Sequence, residues 1–340
     1  MPGATIFGCL GTKLNPAEKD FFRDADPFGF ILFARNLETP EQIRKLCAEM
    51  RQTVGRDAPI FIDQEGGRVA RLRPPLGREW VPALEQVEAT LPGQAAQSMY
   101  LRSRLIAEEL RALGIDGNCV PIVDVPAPEV HEIIRNRCYG TNPEDVARIG
   151  RAVADGCLHG GVLPVLKHIP GHGRPNVDSH MALPTTNASP SALREVDFAP
   201  FKALCDLPLG MTAHVVYEAF DKDNCATFSS VILDLVREEI GFQGLLMSDD
   251  ISMGALSGSF TERSQRALAA GCDVILHCHG HLDEMTEIAG AASVLSGKAL
   301  ARADAALSAR QTPDSFDPKQ ALAQLAGLLS MPRNEQPDPA

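Results

Sequence analysis

Short apolar runs alternate with helix-like segments along most of the 340-residue chain, and this alternation restricts the fold more than any other feature. The runs lie at 5–10, 28–33, 59–63, 115–125, 161–166, 209–216, 244–247 and 273–276. They are apolar almost throughout, which is typical of parallel strands buried on both faces. Strands that are each followed by a helical segment, eight times over, predict a single-domain (β/α)8 barrel of the TIM type.

Helix starts are signalled locally. Asn15 before Pro16, and Thr39 before Pro40, each place a capping residue ahead of a proline at the first helical position. The alanine-rich segment 282–310 predicts further helix. A doubly wound open sheet is the alternative fold, but its glycine fingerprint G-x-G-x-x-G is missing after the first run.

The expected organisation is therefore one barrel domain over residues 1–335. Residues 332–340 are rich in proline and charge, and we expect them to form a frayed tail.

Composition excludes several classes of partner. The net charge of −12 and the pI near 5.2 argue against a nucleic acid or an anionic membrane, which would require a basic surface. The nine cysteines are scattered without a C-x-x-C pair, which predicts reduced thiols in a cytoplasmic protein. We find no signal peptide, no apolar run of roughly 18 residues that could span a membrane, and no sign of an obligate protein partner.

Ionisable residues occur where the predicted strands end. They are Asp63, Asp124, Lys167, His168, His214, Asp249 and Asp250. A single acid at a strand end is usually a turn or a helix cap, but capping does not explain ionisable groups at five consecutive strand ends. The carboxyl ends of barrel strands meet at one mouth, where active sites lie. The sequence therefore predicts one polar site assembled from strands three to seven.

The stretch 167–180 carries the densest chemistry in the chain. A buried strand ends at Lys167 and His168 and continues into a loop rich in glycine and proline, which we expect to act as a hinge. A lysine beside a buried strand costs desolvation energy unless it meets an anion or a hydroxyl-rich ligand. Further along, Asp178 lies two residues before His180, and such a carboxylate can fix the tautomer of an imidazole and raise its basicity.

Other residues complete this polar site. Asp249 follows an apolar run, and an ionised, oriented carboxylate there would be a nucleophile or a charge stabiliser. Arg71 and Arg137 lie in loops just past strand ends. With Asp63 and Lys167 they would give a donor-rich rim that suits a ligand covered in hydroxyls or carrying a carboxylate.

The segment 277–281 has histidines at its first, third and fifth positions, a spacing that also occurs in metal sites. We interpret it as a polar loop after the eighth strand, and we expect neither a metal nor a cofactor. The alternative is a metal-dependent amide or ester hydrolase that would use His168, His214, His279 and an aspartate of the seventh strand.

Four motifs together resemble glycoside hydrolase family 3, and more narrowly its single-domain bacterial β-N-acetylglucosaminidases of peptidoglycan recycling. They are DQEGGRVAR at 63–71, KHIPGHG at 167–173, DSH at 178–180 and LLMSDDISM at 245–253. The likeness extends over nearly the whole chain, although 277–281 departs from the family's usual segment. It implies a (β/α)8 barrel that acts on a small carbohydrate without a cofactor.

The resemblance also implies roles for single residues. Asp249 would be the nucleophile of a retaining glycosidase, and His180 its acid/base with Asp178 as partner. The substrate would be terminal, non-reducing β-linked N-acetylglucosamine in muropeptides or related glycosides. Sugar binding would fall to Asp63, Arg71, Arg137, Lys167 and His168.

Many relatives carry a second α/β domain that supplies a catalytic acid. At this chain length we expect no such domain, so the acid should come from the barrel. A catalytically silent, muropeptide-binding barrel is the remaining alternative to an enzyme.

Overall fold

The computed structural model describes residues 1–174 and 183–329 of the chain. Its centre is a ring of parallel strands: β1 (Gly3–Phe7), β2 (Pro27–Leu32), β3 (Ile60–Ile62), β4 (Gly117–Asn118), β5 (Leu163–Ile169), β6 (Leu209–Thr212), β7 (Leu245–Met247) and β8 (Ile275–His277). Each strand pairs with the next along the chain up to β7, and β8 pairs with β1. A parallel bridge between Met247 and Val274 closes the ring. The predicted (β/α)8 barrel is confirmed.

The predicted strands coincide with the observed ones to within a few residues, except for the fourth. The run 115–125 predicts a long strand, but only Gly117–Asn118 has strand geometry, with one further bridge between Ile122 and Lys167. Pro121 has no N–H to continue the ladder, so a regular strand cannot run through this segment.

Both faces of the ring are buried, and successive residues of a strand alternate between them. In β3, Phe61 belongs to the apolar cluster inside the barrel, whereas Ile60 and Ile62 belong to the cluster beneath the helices. A Cβ on Gly117 would lie 2.2 Å from Cδ1 of Phe61, so the glycine leaves room for this ring. Because both faces are apolar, the sequence shows continuous apolar runs with no visible alternation.

Helices occupy every connection between successive strands. They are α1 (Pro16–Ala25), α2 (Pro40–Val54), α3 (Ala83–Ala89), α4 (Ala95–Ala112), α5 (Glu132–Arg135), α6 (Pro143–His159), α7 (Pro190–Ala192), α8 (Ala199–Ala203), α9 (Ser230–Leu235), α10 (Phe260–Ala270), α11 (Leu282–Ala291), α12 (Gly297–Ser308) and α13 (Pro318–Leu328). Single wide turns, Leu193–Asp197 and Val236–Ile240, extend α7 and α9, and short 3₁₀ turns occur at Ala34–Asn36 and Ala226–Phe228.

The predicted helix caps are present. Asn15 accepts a hydrogen bond from Glu18 N, and the Glu18 side chain accepts one from Asn15 N, which makes a complete capping box at α1. Thr39 caps α2 by accepting from Gln42 N. Each cap satisfies N–H groups that the first turn of a helix leaves without partners.

The prediction of one continuous helical segment over 282–310 is wrong in its middle, between α11 and α12. There the chain pairs with the first strand: Ser293 O accepts from Ala4 N at 2.9 Å, and Leu295 N donates to Pro2 O at 2.8 Å. Alanine gives this region a high helix propensity throughout, but propensity contains no information about pairing with a distant strand.

Small strands outside the ring follow β3, β5 and β6, and the sequence analysis does not predict them. A hairpin joins Gln64–Gly66 to Val69–Ala70, and a three-stranded sheet joins Thr185–Thr186, Val216–Tyr217 and Asp221–Cys225. No helix in the described part of the chain is both long and apolar enough to cross a membrane. The predicted tail at 332–340 lies outside the described residues, and the domain bounds 1–335 stay a prediction.

Candidate active site

A cavity of about 390 Å³ lies at the carboxyl ends of the strands, a volume near the lower end of the roughly 300–1,000 Å³ of small-molecule sites. Apolar side chains such as Phe33, Met211 and Met253 form part of its wall. Its ionisable side chains are Arg35, Asp63, Glu65, Arg71, Arg137, Lys167, His168, His172, Asp249, Asp250 and His279. These residues come from segments far apart in the sequence, which the barrel brings to one mouth.

Two acids enter the cavity from the end of β3. Asp63 and Glu65 share one side of the extended chain because residues two apart on a strand face the same way. Gln64, between them, is buried and turns to the other side, where its Oε1 accepts hydrogen bonds from Arg71 N at 2.8 Å and Leu72 N at 2.9 Å. The alternation therefore delivers both carboxylates to the mouth and fixes the hairpin behind them.

The glycine after Glu65 is required by a close approach of another side chain. Gly66 has φ +103°, and a Cβ there would lie 1.8 Å from Nη2 of Arg102. Without that Cβ, Arg102 donates to Glu65 O at 2.7 Å and to Gln86 Oε1 at 2.8 Å. The buried arginine thus holds the backbone that carries Glu65.

Three cations neutralise the two acids. Lys167 Nζ lies 2.8 Å from both Asp63 Oδ1 and Glu65 Oε1. Arg137 donates from Nε and Nη2 to the two carboxylate oxygens of Glu65 at 2.9 and 2.8 Å, a bidentate pair. Arg71 Nη2 donates to Asp63 Oδ2 at 3.1 Å. The Lys167 and Glu65 side chains are each only 3% exposed, so this is a desolvated network.

These contacts keep Asp63, Glu65 and Lys167 charged. Burial by itself raises the pKa of Asp63, but Lys167 and Arg71 more than reverse that effect and hold the pKa well below 3.8. Burial also raises the pKa of Glu65, and Arg137 and Lys167 bring it down to about 2. For Lys167, burial lowers the pKa, whereas Asp63 and Glu65 raise it above the usual 10.5.

Lys167 and His168 are consecutive, yet both line the cavity. The register of β5 shifts between Leu166 and Ile169, and such an irregularity redirects side chains that would otherwise alternate. His168 Nδ1 lies 2.7 Å from Oδ2 of Asp124, a buried acid behind the cavity wall. Burial raises the pKa of Asp124, but His168 and its other hydrogen bonds lower it to about 2.

Two buried nitrogen atoms in the cavity wall have no hydrogen-bond partner among the described residues. His172 donates its backbone N–H to Asp124 at 2.7 Å, but its buried Nε2 has no hydrogen-bond partner among the described residues. Nε of Arg71 is also buried and also has no hydrogen-bond partner among the described residues. Burial, together with the neighbouring His168, lowers the pKa of His172 to about 4, so its ring is neutral at neutral pH. Unpartnered buried polar atoms are costly, which suggests that a ligand completes them.

Asp249 follows β7 and lies in a different electrostatic environment. Among the described residues its carboxylate accepts one hydrogen bond, from Asp250 N at 2.8 Å, and it forms no ion pair. Burial raises the pKa of Asp249, but His214, His168, the Asp250 N–H and Lys167 together outweigh burial and lower it. The carboxylate is therefore ionised although no cation of the described residues forms an ion pair with it.

A chain of hydroxyls and one imidazole supports the peptide beside Asp249. Thr212 Oγ1 lies 2.8 Å from Thr227 Oγ1, which lies 2.7 Å from His214 Nδ1, and His214 Nε2 lies 3.1 Å from Asp250 O. A carbonyl only accepts, so Nε2 donates and Nδ1 accepts from Thr227. Burial lowers the pKa of His214, which favours this neutral tautomer.

The structure places the predicted site residues in three groups. The first lines the cavity and comprises Asp63, Arg71, Arg137, Lys167, His168 and Asp249. The second, Asp124 and His214, lies behind it and holds its wall. The third, Asp178 and His180, lies outside the described residues. The sequence analysis gave no role to Glu65 or His172. Glu65 could have been identified, because a residue two positions after Asp63 on a strand faces the same side.

The residues of the alternative metal-dependent hydrolase, His168, His214, His279 and an aspartate of β7, do not form a metal-binding group among the described residues. His168 bonds to Asp124, and His214 bonds to Thr227 and Asp250. Within residues 1–174 and 183–329, one group of three or more side chains is placed to hold a metal ion, and it consists of His277, His279 and Glu284.

A barrel whose mouth combines ionised carboxylates with hydrogen-bond donors defines an enzyme for polar, hydroxyl-rich ligands. The model of the glycosyl hydrolase family 3 N-terminal domain matches residues 8–311. A β-hexosaminidase of Alkalilimnicola ehrlichii is 37% identical over 283 residues, which cover 82% of this chain and 81% of that protein. The chain belongs to glycosyl hydrolase family 3.

Solved structures agree with this assignment. Native NagZ from Neisseria gonorrhoeae has a TM-score of 0.85 and 30% identity, and the match covers 97% of this chain and 98% of that one. A family 3 β-N-acetylglucosaminidase from a Paenibacillus species has a TM-score of 0.84 and 28% identity, but this chain spans only 66% of its length. The protein is thus a glycoside hydrolase of the β-hexosaminidase type.

Proposed function

We propose that this enzyme removes terminal, non-reducing β-linked N-acetylglucosamine with retention of configuration, and that Asp249 is its nucleophile. One observation carries the assignment. Of the four acids that line the cavity, Asp63 and Glu65 are bound to cations and Asp250 accepts hydrogen bonds from two backbone N–H groups, whereas Asp249 accepts one hydrogen bond and has no ion pair among the described residues. A carboxylate bound to a cation has its lone pairs engaged, so the free one is available to attack an anomeric carbon.

The paired groups suit the binding of the sugar. Asp63, Lys167 and Arg137 are fixed by their mutual contacts, which makes them preorganised partners for hydroxyl and amide groups. Nε of Arg71 and Nε2 of His172, which have no hydrogen-bond partner in the part of the chain that the structure describes, offer further sites for a ligand oxygen. We assign substrate binding to this part of the wall, including His168, which Asp124 holds in place.

The proton would be supplied by His180, with Asp178 fixing its tautomer. Protonated His180 would give its proton to the leaving oxygen as Asp249 bonds to the anomeric carbon. Neutral His180 would then take a proton from water, whose oxygen attacks the same carbon and releases Asp249. The support for both residues is the DSH motif and the family relationship, since 178–180 lie outside the described residues.

The fragments of bacterial cell wall that carry terminal N-acetylglucosamine, the muropeptides, are the proposed natural substrates. The resemblance of the four sequence motifs to the β-N-acetylglucosaminidases of peptidoglycan recycling supports this choice. We also place the enzyme in the cytoplasm, because all nine cysteines are free thiols in the structure and such thiols persist in a reducing compartment.

Covalent trapping tests the mechanism directly. A slow fluorinated N-acetylglucosamine donor should leave one glycosyl group on the protein, and peptide mass spectrometry should place it on Asp249. The Asp250→Asn protein is the matched control and should still be labelled on Asp249. Labelling of another residue, or turnover by an Asp249→Ala protein at a near-normal rate, would refute the assignment.

The natural substrate needs a separate test. The purified enzyme should release N-acetylglucosamine from a muropeptide disaccharide more efficiently than from chitobiose. Equal efficiency would leave the hydrolase assignment intact but would contradict the muropeptide proposal.

A further inference from the structure

The cluster His277, His279 and Glu284 has no role in the proposed reaction. His277 ends β8, His279 follows it at the cavity rim, and Glu284 lies in the first turn of α11. His277 Nε2 is 2.7 Å from Glu284 Oε2, and His279 Nδ1 is 3.9 Å from the same oxygen. One ligand atom of each residue lies within 4.8 Å of the other two. We propose that these three side chains form a zinc site at the rim of the active-site cavity.

Two of the three separations between ligand atoms are close to those that zinc requires. Zinc–nitrogen bonds of roughly 2.0–2.1 Å in a tetrahedron place neighbouring ligand atoms about 3.3 Å apart. The 2.7 Å and 3.9 Å separations lie on either side of that value. A shift of the Glu284 carboxylate toward His279, by well under an ångström, would equalise them. Two imidazoles and one carboxylate are also a donor set that zinc uses, with the fourth position left to water.

Packing holds the first ligand in place. The His277 side chain is 0% exposed and lies edge-on to Phe7 and Phe260, with ring centroids 6.3 and 5.9 Å away. Its Nδ1 has no hydrogen-bond partner in the described part of the chain. The hydrogen bond of the ring there is the one between Nε2 and Glu284. Zinc at Nε2 would replace the proton shared with Glu284, and the neutral ring would carry its proton on Nδ1.

The other side of the cluster is open to solvent. The His279 side chain is 51% exposed and that of Glu284 24%, so an ion can enter without unfolding β8. Because His279 also lines the cavity, the bound ion would stand at its mouth. It would not involve Asp63 or Glu65, whose carboxylates are held by Lys167.

A simpler interpretation is that His277 and Glu284 form an ordinary hydrogen bond and that His279 is an unrelated surface residue. The two interpretations differ in what they require of His279. In the hydrogen-bonded pair it contributes nothing, whereas in the metal site it supplies one of the three ligands. Substitution of His279 therefore separates them.

The test uses the full chain, freed of metal with a chelator, and Zn²⁺ alone as the probe. Because the proposed catalytic pair could itself bind zinc, the titrations use a background that carries Asp178→Asn and His180→Gln. Calorimetry should show one Zn²⁺ per chain in this background. His279→Gln and Glu284→Gln should each weaken that binding by at least about tenfold, since each removes a direct ligand.

His281→Gln is the matched control, because His281 is an exposed histidine in the same loop, with its ring 5.8 Å from that of His279. It should bind Zn²⁺ as the background protein does. Glu284→Gln keeps an oxygen that can accept from His277, so its thermal midpoint without zinc should match the background. Addition of zinc should raise the thermal midpoint of the background protein and of His281→Gln by several degrees. It should not raise the midpoint of His279→Gln or Glu284→Gln.

Absence of stoichiometric binding in the background would overturn the proposal. So would binding that survives His279→Gln, because it would place the ion elsewhere. Mg²⁺, which prefers oxygen ligands, should not compete. Glycosidase activity does not enter these measurements, so the zinc proposal and the proposed function can fail independently.

Discussion

The two sides of the active-site mouth are built on different principles. On one side, which we call the paired half, the charges of Asp63, Glu65, Arg71, Arg137 and Lys167 are satisfied by one another. On the other, the open half, Asp249 and Asp250 make no ion pair among the described residues, and the neutral His214 supports them.

This difference separates the groups that bind the ligand from the group that reacts with it. Each charge of the paired half lies within hydrogen-bonding distance of an opposite charge, so these groups keep their positions before a ligand arrives. Asp249 stays ionised because His214, His168, the Asp250 N–H and Lys167 together lower its pKa, although no cation forms an ion pair with it among the described residues. Substitutions on the two sides should therefore differ in what they change. Substitution of the nucleophile in the open half should lower kcat, whereas substitutions in the paired half should lower both the free energy of unfolding and the rate.

Asp249→Asn should have the largest effect on rate. Removing the nucleophile while keeping the shape of the side chain should lower kcat by roughly 10⁴-fold or more. The free energy of unfolding should stay within about 1 kcal/mol of wild type, because no ion pair is lost. Steady-state kinetics on an aryl N-acetylglucosaminide and urea unfolding measure the two quantities.

Asp250→Asn is the matched control for that experiment. Its Oδ1 accepts from Ser252 N at 3.1 Å and from Cys278 N at 3.3 Å, and asparagine can keep both bonds. The loss of kcat should stay within about tenfold, since a group that does not react contributes only through orientation. Equal losses for the two variants would contradict a single nucleophile in the open half.

Lys167→Met should affect both quantities. It leaves Asp63 and Glu65 beside each other with one cation fewer, and breaking a buried pair by removing one partner costs about 3–5 kcal/mol. Unfolding in urea should show this loss, and kcat/KM should fall as well. An exposed pair, Arg194 with Glu239, is the control: Arg194→Met should change the stability far less than Lys167→Met does. A Lys167→Met protein of wild-type stability would show that the paired half is not a structural element.

The paired half should contribute to the pH dependence of stability. The folded-state pKa of Glu65 is about 2, below its ordinary 4.5, so its contribution is fully present above pH 4.5 and is lost as the pH falls through 2. The full contribution is on the order of 3 kcal/mol. The stability difference between wild type and Glu65→Gln should therefore narrow as urea unfolding is repeated from pH 6 down to pH 3. A constant difference would mean that Glu65 is not an ionised partner.

Thr227→Val should have the smallest effect. It leaves His214 Nδ1 and the Thr212 hydroxyl without their partner, at a cost of about 1–3 kcal/mol in stability. Because His214 lies behind the cavity wall and contacts the Asp250 carbonyl, kcat should fall by less than about tenfold. Thr227→Ser keeps the hydroxyl and should restore both values. A variant as slow as Asp249→Asn would instead place His214 in the reaction itself.

Local sequence signals identified much of this architecture. Capping residues predicted the starts of α1 and α2. The apolar runs predicted the barrel because strands that are buried on both faces consist mostly of apolar residues. The break between α11 and α12 and the shortness of β4 were missed, since each depends on which distant backbone groups are available to pair.

The sequence by itself determined which side chains stand at the strand ends, and hence that Asp63, Lys167 and Asp249 would share a mouth. Only the tertiary structure decided how their charges are distributed. Asp63 and Glu65 pair with Lys167, a residue about a hundred positions away, whereas Asp249 pairs with no cation among the described residues. Charge pairing depends on separations of a few ångströms in a desolvated space, and a linear pattern does not specify such distances.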